Sequence, residues 1–177
     1  MPYRKQLQNK KKIVIKVGSS SLTHSNGKLN LMRIEKLVRT IVDVHNSGKE
    51  VLLVSSGAIA TGAAKMGLDK KPDDKIKKQA LAAIGQAELI KIYDKFFQEY
   101  NKTVAQILIT KDGIENSVRR KNAKNTINEL LRMGIIPIIN ENDTISTHEI
   151  EFGDNDTLSA IVSSLTSFPD PKLNSSN

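Results

Sequence analysis

The chain is expected to fold as an α/β protein, a three-layer αβα sandwich around a mainly parallel sheet. Three observations carry that expectation. Short β-branched apolar runs alternate with amphipathic segments at helical spacing, and the connecting segments are too long for hairpins. Apolar runs also break repeatedly into small residues, acids or amides, as happens where strands of an open sheet end at a ligand crevice.

The elements follow in order. Lys12–Val17 (Lys-Ile-Val-Ile-Lys-Val) is a strand stopped by the small-residue loop Gly18-Ser19-Ser20-Ser21. Lys16 sits one residue inside its end, close to a glycine that lets a ligand approach the backbone. Between Asn30 and Ser47, Leu31, Ile34, Leu37, Val38, Ile41 and Val42 recur at steps of three and four, which predicts an amphipathic helix ended by Gly48. Glu50–Val54 is a second buried strand. It runs through Ser55-Ser56-Gly57 into a small-residue helix over Ala58–Met66. Free backbone N–H groups and the positive end of a helix dipole meet at that turn, so an anion is expected there.

Lys75–Tyr100 reads as a long helix with Leu81, Ile84, Leu89, Ile92 and Phe96 on its apolar side, and with Gly85 allowing close packing against a neighbour. Thr103–Ile109 is the third strand, Asn122–Met133 a further helix, and Ile135–Asn140 the fourth strand. Thr144–Phe152 alternates enough to suggest a small hairpin. Asp154 or Asn155 then caps a helix reaching about Leu165, and the proline-broken stretch after 166 is expected to be a disordered polar tail. The division is thus a basic arm over 1–11, one domain over 12–166 and a tail over 167–177.

Composition narrows the function. The chain has 177 residues, enough for one domain with a substantial core, and no cysteine, which excludes a disulfide framework and is compatible with a reducing cytoplasm. No apolar run approaches the roughly 18 residues needed to span a membrane. The formal net charge of +8 raises the question of a nucleic-acid partner, but only 4% of residues are aromatic and none is Trp, so a base-stacking platform is poorly supplied. The three histidines are too scattered for a metal site. Gly57 and Gly62 have the spacing of a phosphate loop, yet Ala63-Ala64-Lys65 follows them, and no G-x-G-x-x-G or G-x-S-x-G is present.

The two acid-amide clusters, Asn140–Asp143 and Asp154–Asp156, each follow an apolar or β-rich segment. Either alone is readily a turn. Together they suggest one site.

Five segments in order, Lys-Val-Gly-Ser-Ser at 16–20, Val-Ser-Ser-Gly-Ala-Ile at 54–59, Ala-Ala-Ile-Gly-Gln at 82–86, Ile-Asn-Glu-Asn-Asp at 139–143 and Phe-Gly-Asp-Asn-Asp at 152–156, resemble the glutamate 5-kinases of the amino acid kinase family. The likeness covers about residues 12 to 162. It implies ATP-dependent phosphorylation of the L-glutamate side-chain carboxylate in proline synthesis, with Mg2+ accompanying ATP, in a cytoplasmic homo-oligomer open to feedback inhibition by proline. By the same likeness Lys16 and Asp156 are catalytic, Asp156 holding Lys16. Lys16, Gly18 and Ser19 attend ATP. Ser56, Gly57, Ala58, Asn140, Asp143, Gly153, Asp154 and Asn155 attend the amino acid. The residues suit that chemistry: backbone N–H groups at a helix start receive a carboxylate, Asp143 accepts from an ammonium, and no general base is needed for an acceptor already ionised at neutral pH.

The resemblance also implies further strands and a second active-site lysine that the 177 residues do not contain. The expectation is therefore an incomplete nucleotide half, an unpaired sheet flank, poor solubility or dependence on a partner chain, and very low kinase activity. The rival readings are a non-catalytic glutamate-binding or regulatory module and another carboxylate or carbamate kinase of the same fold.

Overall fold

A computed structural model describes residues 10–145 and 156–167. Eleven elements are found there: β1 (Lys12–Val17), α1 (Ser19–Leu22), α2 (Leu31–Asn46), β2 (Glu50–Ser55), α3 (Ala58–Lys65), α4 (Lys75–Gln98), β3 (Val104–Ile109), α5 (Lys111–Glu115), α6 (Ser117–Arg132), β4 (Ile136–Glu141) and α7 (Asp156–Ser167). The strands form one sheet in the order β1-β2-β4-β3, and all three pairings are parallel.

Side chains alternate across the strands, and the two faces of the sheet collect separate cores. Val51 and Leu53 of β2, with Ile136 and Ile138 of β4, pack against Ile34, Val38 and Ile41 of α2 and Leu89, Tyr93 and Phe97 of α4. Leu52, Val54 and Ile139 face the other way, onto Ile127 and Leu131 of α6 and Leu158, Val162 and Leu165 of α7. Helices therefore cover both faces, and the expected three layers are present. Among the described residues β1 and β3 are the sheet edges.

The predicted strands and long helices are all found, with informative differences. The small-residue loop after β1 contains a single helical turn, α1. Helix α6 begins at Ser117 instead of Asn122, because the Asn116 side chain accepts from the N–H groups of both Val118 and Arg119 and so caps a start that hydrophobic periodicity does not announce. Strand β4 runs one residue further than expected, carrying Glu141 into the sheet opposite Ile109. On α4 the buried stripe is Ala82, Gly85, Gln86, Leu89, Tyr93 and Phe97, with Leu81 beside it, while Ile84 is exposed. The helix is rotated toward α3: an added Cβ on Gly85 would lie 1.7 Å from the Ala58 carbonyl oxygen, and one on Gly62 2.0 Å from that of Leu81. The expected hairpin lies mainly, and the Asp154 or Asn155 cap, the residues after 167 and residues 1–9 wholly, outside the described residues. Among the described residues no helix is long and apolar enough to cross a membrane.

The topology dictates where a crevice opens. The chain leaving β2 passes into α3 and α4 on one face, whereas α7, after β4, lies on the other. Adjacent strands whose outgoing connections part in opposite directions leave a gap at their C-terminal ends. Here that gap lies between Ser55-Ser56 and Asn140–Asp143, since β2 and β4 are neighbours through Val54 and Ile139.

Candidate functional site

Three strand ends meet at this crevice. From β1 comes Lys16, whose amine lies 2.9 Å from Asp156 Oδ1 on the first residue of α7. The carboxylate stands in the first turn of that helix, where the dipole favours negative charge. Gly18 borders the lysine: a Cβ there would make ordinary contact with Lys16 Nζ, at 3.7 Å.

The end of β1 is tied to the next loop by the Ser56 N–H, which donates to the Val17 carbonyl at 2.9 Å. Gly57 follows with φ of 105°, a left-handed conformation that turns the chain from β2 into α3 and that other residues adopt only with strain. It packs on Ser19, so the first helical turns after β1 and β2 stand side by side. No side chain caps the first turn of α3. The Ser56 hydroxyl is buried, the residue being 7% exposed, and has no hydrogen-bond partner among the described residues. A buried hydroxyl without a partner is costly, and here it sits beside backbone donors at a helix start.

Strand β4 supplies the acidic side. Asp143 is half-buried in the turn after the strand, where Asn142 N–H donates to the Ile109 carbonyl at 2.9 Å and Thr144 Oγ1 bonds to Asn142 Oδ1. Burial, reinforced by the Glu141 carboxylate and opposed by the Lys71 ammonium, pushes the Asp143 carboxyl up to about 6. A cation placed beside it would favour its ionised form.

Asn140 is buried at 3% exposure, and its amide is engaged within the protein: Nδ2 donates to Gln86 Oε1 at 3.2 Å and Oδ1 accepts from the Glu141 N–H at 2.9 Å. Gln86 Nε2 in turn donates to the Glu141 carbonyl at 2.9 Å, and Gln106 Nε2 donates to Gln86 Oε1 at 3.3 Å. Below them Ser55 Oγ and the Tyr93 hydroxyl are 3.0 Å apart, and burial pushes the tyrosine up to about 12, so it stays neutral.

Lys16, Gly18, Ser19, Ser56, Gly57, Ala58, Asn140, Asp143 and Asp156 therefore lie at the ends of adjacent strands or the helices following them. Gly153, Asp154 and Asn155 fall outside the described residues. Gln86 was quoted in the sequence only as part of a motif; its signal was an amide among apolar and small residues on a helix's buried side. A separate groove of about 690 Å3 runs along α2 from Met32 to Asn46, with Tyr100 on its wall, and none of its lining residues belongs to the crevice. Among the described residues no group of three or more acids and histidines is placed to hold a metal.

Comparison with known proteins identifies the family. The profile of the amino acid kinase family matches residues 11–167. The chain is 58% identical over 166 residues to a glutamate 5-kinase from Clostridium perfringens, covering 92% of this chain and 62% of that protein. It is 56% identical over 162 residues to one from Clostridium tetani, covering 92% and 61%, and 55% identical over 154 residues to one from Caldanaerobacter subterraneus, covering 87% and 41%. The chain thus spans about two fifths to three fifths of the length of these relatives. In fold it resembles the UMP kinase from Ureaplasma parvum, with TM-score 0.59 at 16% identity over 90% of this chain and 66% of that one. The UMP kinase from Bacillus anthracis gives 0.55 at 19% identity over 94% and 71%. Since the family match runs from β1 to α7 and relatives more than half identical cover most of the chain, the chain belongs to the amino acid kinase family.

Proposed function

We propose that the crevice between β2 and β4 binds L-glutamate and that the chain carries the amino-acid side of a glutamate 5-kinase, transferring a phosphoryl group from ATP to the side-chain carboxylate. The observation that carries the reading is the buried Ser56 hydroxyl, without a partner among the described residues, at an uncapped helix start that follows β2, the neighbour of β4, whose outgoing turn bears Asp143. That the relatives are glutamate 5-kinases supports the choice of substrate.

In this reading glutamate presents two carboxylates and one ammonium, and the chain offers a different host to each. Ser56 Oγ and the N–H groups from Gly57 and Ala58 receive a carboxylate. Asp143 receives the ammonium as an ionised acceptor. By the family likeness Asn155, with Gly153 and Asp154, is assigned to the amino acid, Asn155 as a donor to a carboxylate. Lys16, held by Asp156, faces the phosphoryl oxygens, neutralising charge as two anions are brought together, while Gly18 and Ser19 keep the backbone close. The residues fit such a group in charge, because the Lys16 ammonium stands near Gly18 just past the end of β1. ATP supplies the phosphoryl group when bound, and Mg2+ is expected to arrive on its phosphates. The attacking carboxylate oxygen is already ionised, so no proton need be removed.

The test is calorimetry of the 177-residue chain with L-glutamate, L-aspartate, N-acetylglutamate and carbamate, followed by trapping of acyl phosphate after addition of Mg-ATP. Preferential binding of glutamate, lost in Ser56→Ala, is the expected result, with any acyl phosphate formed from glutamate alone. Preference for another acceptor, or binding unaffected by Ser56→Ala, would contradict the reading.

A further inference from the structure

The Gln86 amide is 6% exposed in the interior of α4, among alanine, glycine, leucine and aromatic neighbours. An amide buried there costs free energy unless each of its ends is matched. Its partners fix more than its own position. The Glu141 carbonyl is an acceptor only, so the end of Gln86 facing it is the NH2 group. The oxygen of Gln86 then faces Asn140 and Gln106, and both must present their NH2 groups to it. That leaves the Asn140 oxygen toward the Glu141 N–H, 2.9 Å away. One backbone carbonyl thereby determines the rotation of three amide side chains, and α4 grips the last two residues of β4 from the helix side.

We propose that Gln86 is a positioning residue of the crevice: by clamping Asn140 and the Glu141 carbonyl it holds the strand end that leads into Asp143 and excludes the flipped orientation of the Asn140 amide. The inference rests on the reading of the crevice as a glutamate site. Gln86 touches no substrate in this account; it acts through Asn140 and the β4 backbone. Its neighbour Gly85, which lets α4 approach Ala58 closely, is what brings the amide within reach of β4.

The test uses Gln86→Met, close in length and without hydrogen-bonding ends, in the isotopically labelled 177-residue chain. The side-chain NH2 signals of Asn140 are expected to shift and to exchange faster with solvent, with or without glutamate. Affinity for L-glutamate is expected to fall about ten-fold. Gln86→Met is expected to add less than about two-fold to the loss caused by Asn140→Ala, because both remove the same constraint. Phe97→Leu, a core change near the other end of α4, serves as the destabilised control and is expected to leave affinity and the Asn140 signals unchanged. Should Gln86→Met not fold, Gln86→Glu, which loses the donor to the Glu141 carbonyl, reads the same two signals. Unmoved Asn140 signals, or a loss of affinity fully additive with Asn140→Ala, would overturn the proposal. If the wild-type chain binds no glutamate, the reading of the crevice falls, and the Asn140 signals alone decide whether Gln86 is the clamp.

Discussion

Lys16 and Asp143 stand on opposite sides of the crevice and are prepared for opposite charges. The lysine is paired with Asp156 at 2.9 Å, an ion pair whose carboxylate is 72% exposed and which therefore adds little to stability. Its consequence lies in where it places the ammonium. Lys16→Met is expected to fold with little change in melting temperature, while reducing any glutamate-dependent acyl phosphate formation at least about 100-fold, the scale of losing one charge-stabilising group. Asp143 behaves differently, since its carboxyl is raised from 3.8 to about 6 by burial and then by Glu141. An acid whose folded pKa stands above its unfolded value holds its proton more tightly when folded. Its contribution to stability is thus greatest below about 4, declines as pH rises toward about 6, and is flat above. Urea unfolding of wild type and Asp143→Asn between pH 4 and 8 should show this slope only in the wild type. Glutamate affinity should move the other way, rising through about pH 6 as the carboxylate ionises to meet the ammonium. The positions of Lys16, Ser56 and Asp143 at or just after strand ends were legible in the sequence because apolar runs break there into charged, hydroxyl and amide residues, while their roles came from the family likeness. Gln86 was not, because an amide among small and apolar residues of a helix is a weak local mark and its burial comes from the packing of the helix.

At the scale of elements, β-branched runs and three-and-four spacing placed four strands and the long helices, since one buried face per element leaves a periodic trace. The misplacements have local causes. Asn116 caps α6 so that it starts five residues upstream of the expected position, and the buried stripe of α4 is turned toward α3 by two glycines that periodicity counts as neutral. That contact yields a sharp expectation. Gly85→Ala places a methyl group against the Ala58 backbone carbonyl, which cannot swing aside as a side chain can. A destabilisation of about 3 kcal/mol or more is expected, at the upper end for overpacking, read as a lowered midpoint in urea. An unchanged midpoint would show that α3 and α4 separate freely, contrary to the close packing described.

At the scale of the molecule, the parting of the β2 and β4 connections to opposite faces makes the crevice, and Lys16, Ser56 and Asp143 occupy it because each lies at or after a strand end on that side. The layered architecture could be read from the alternation of strand and helix. The order β1-β2-β4-β3 could not, because strand sequence does not state which neighbour a crossover reaches. The central claim is that this crevice, and no other concavity, receives glutamate. Backbone amide shifts of the labelled chain during titration with L-glutamate test it most directly. The account predicts the largest changes at Ser56, Gly57, Ala58 and Asn140 to Asp143, with the groove between Met32 and Tyr100 unaffected. Changes centred on that groove, or none at saturating glutamate, would contradict it.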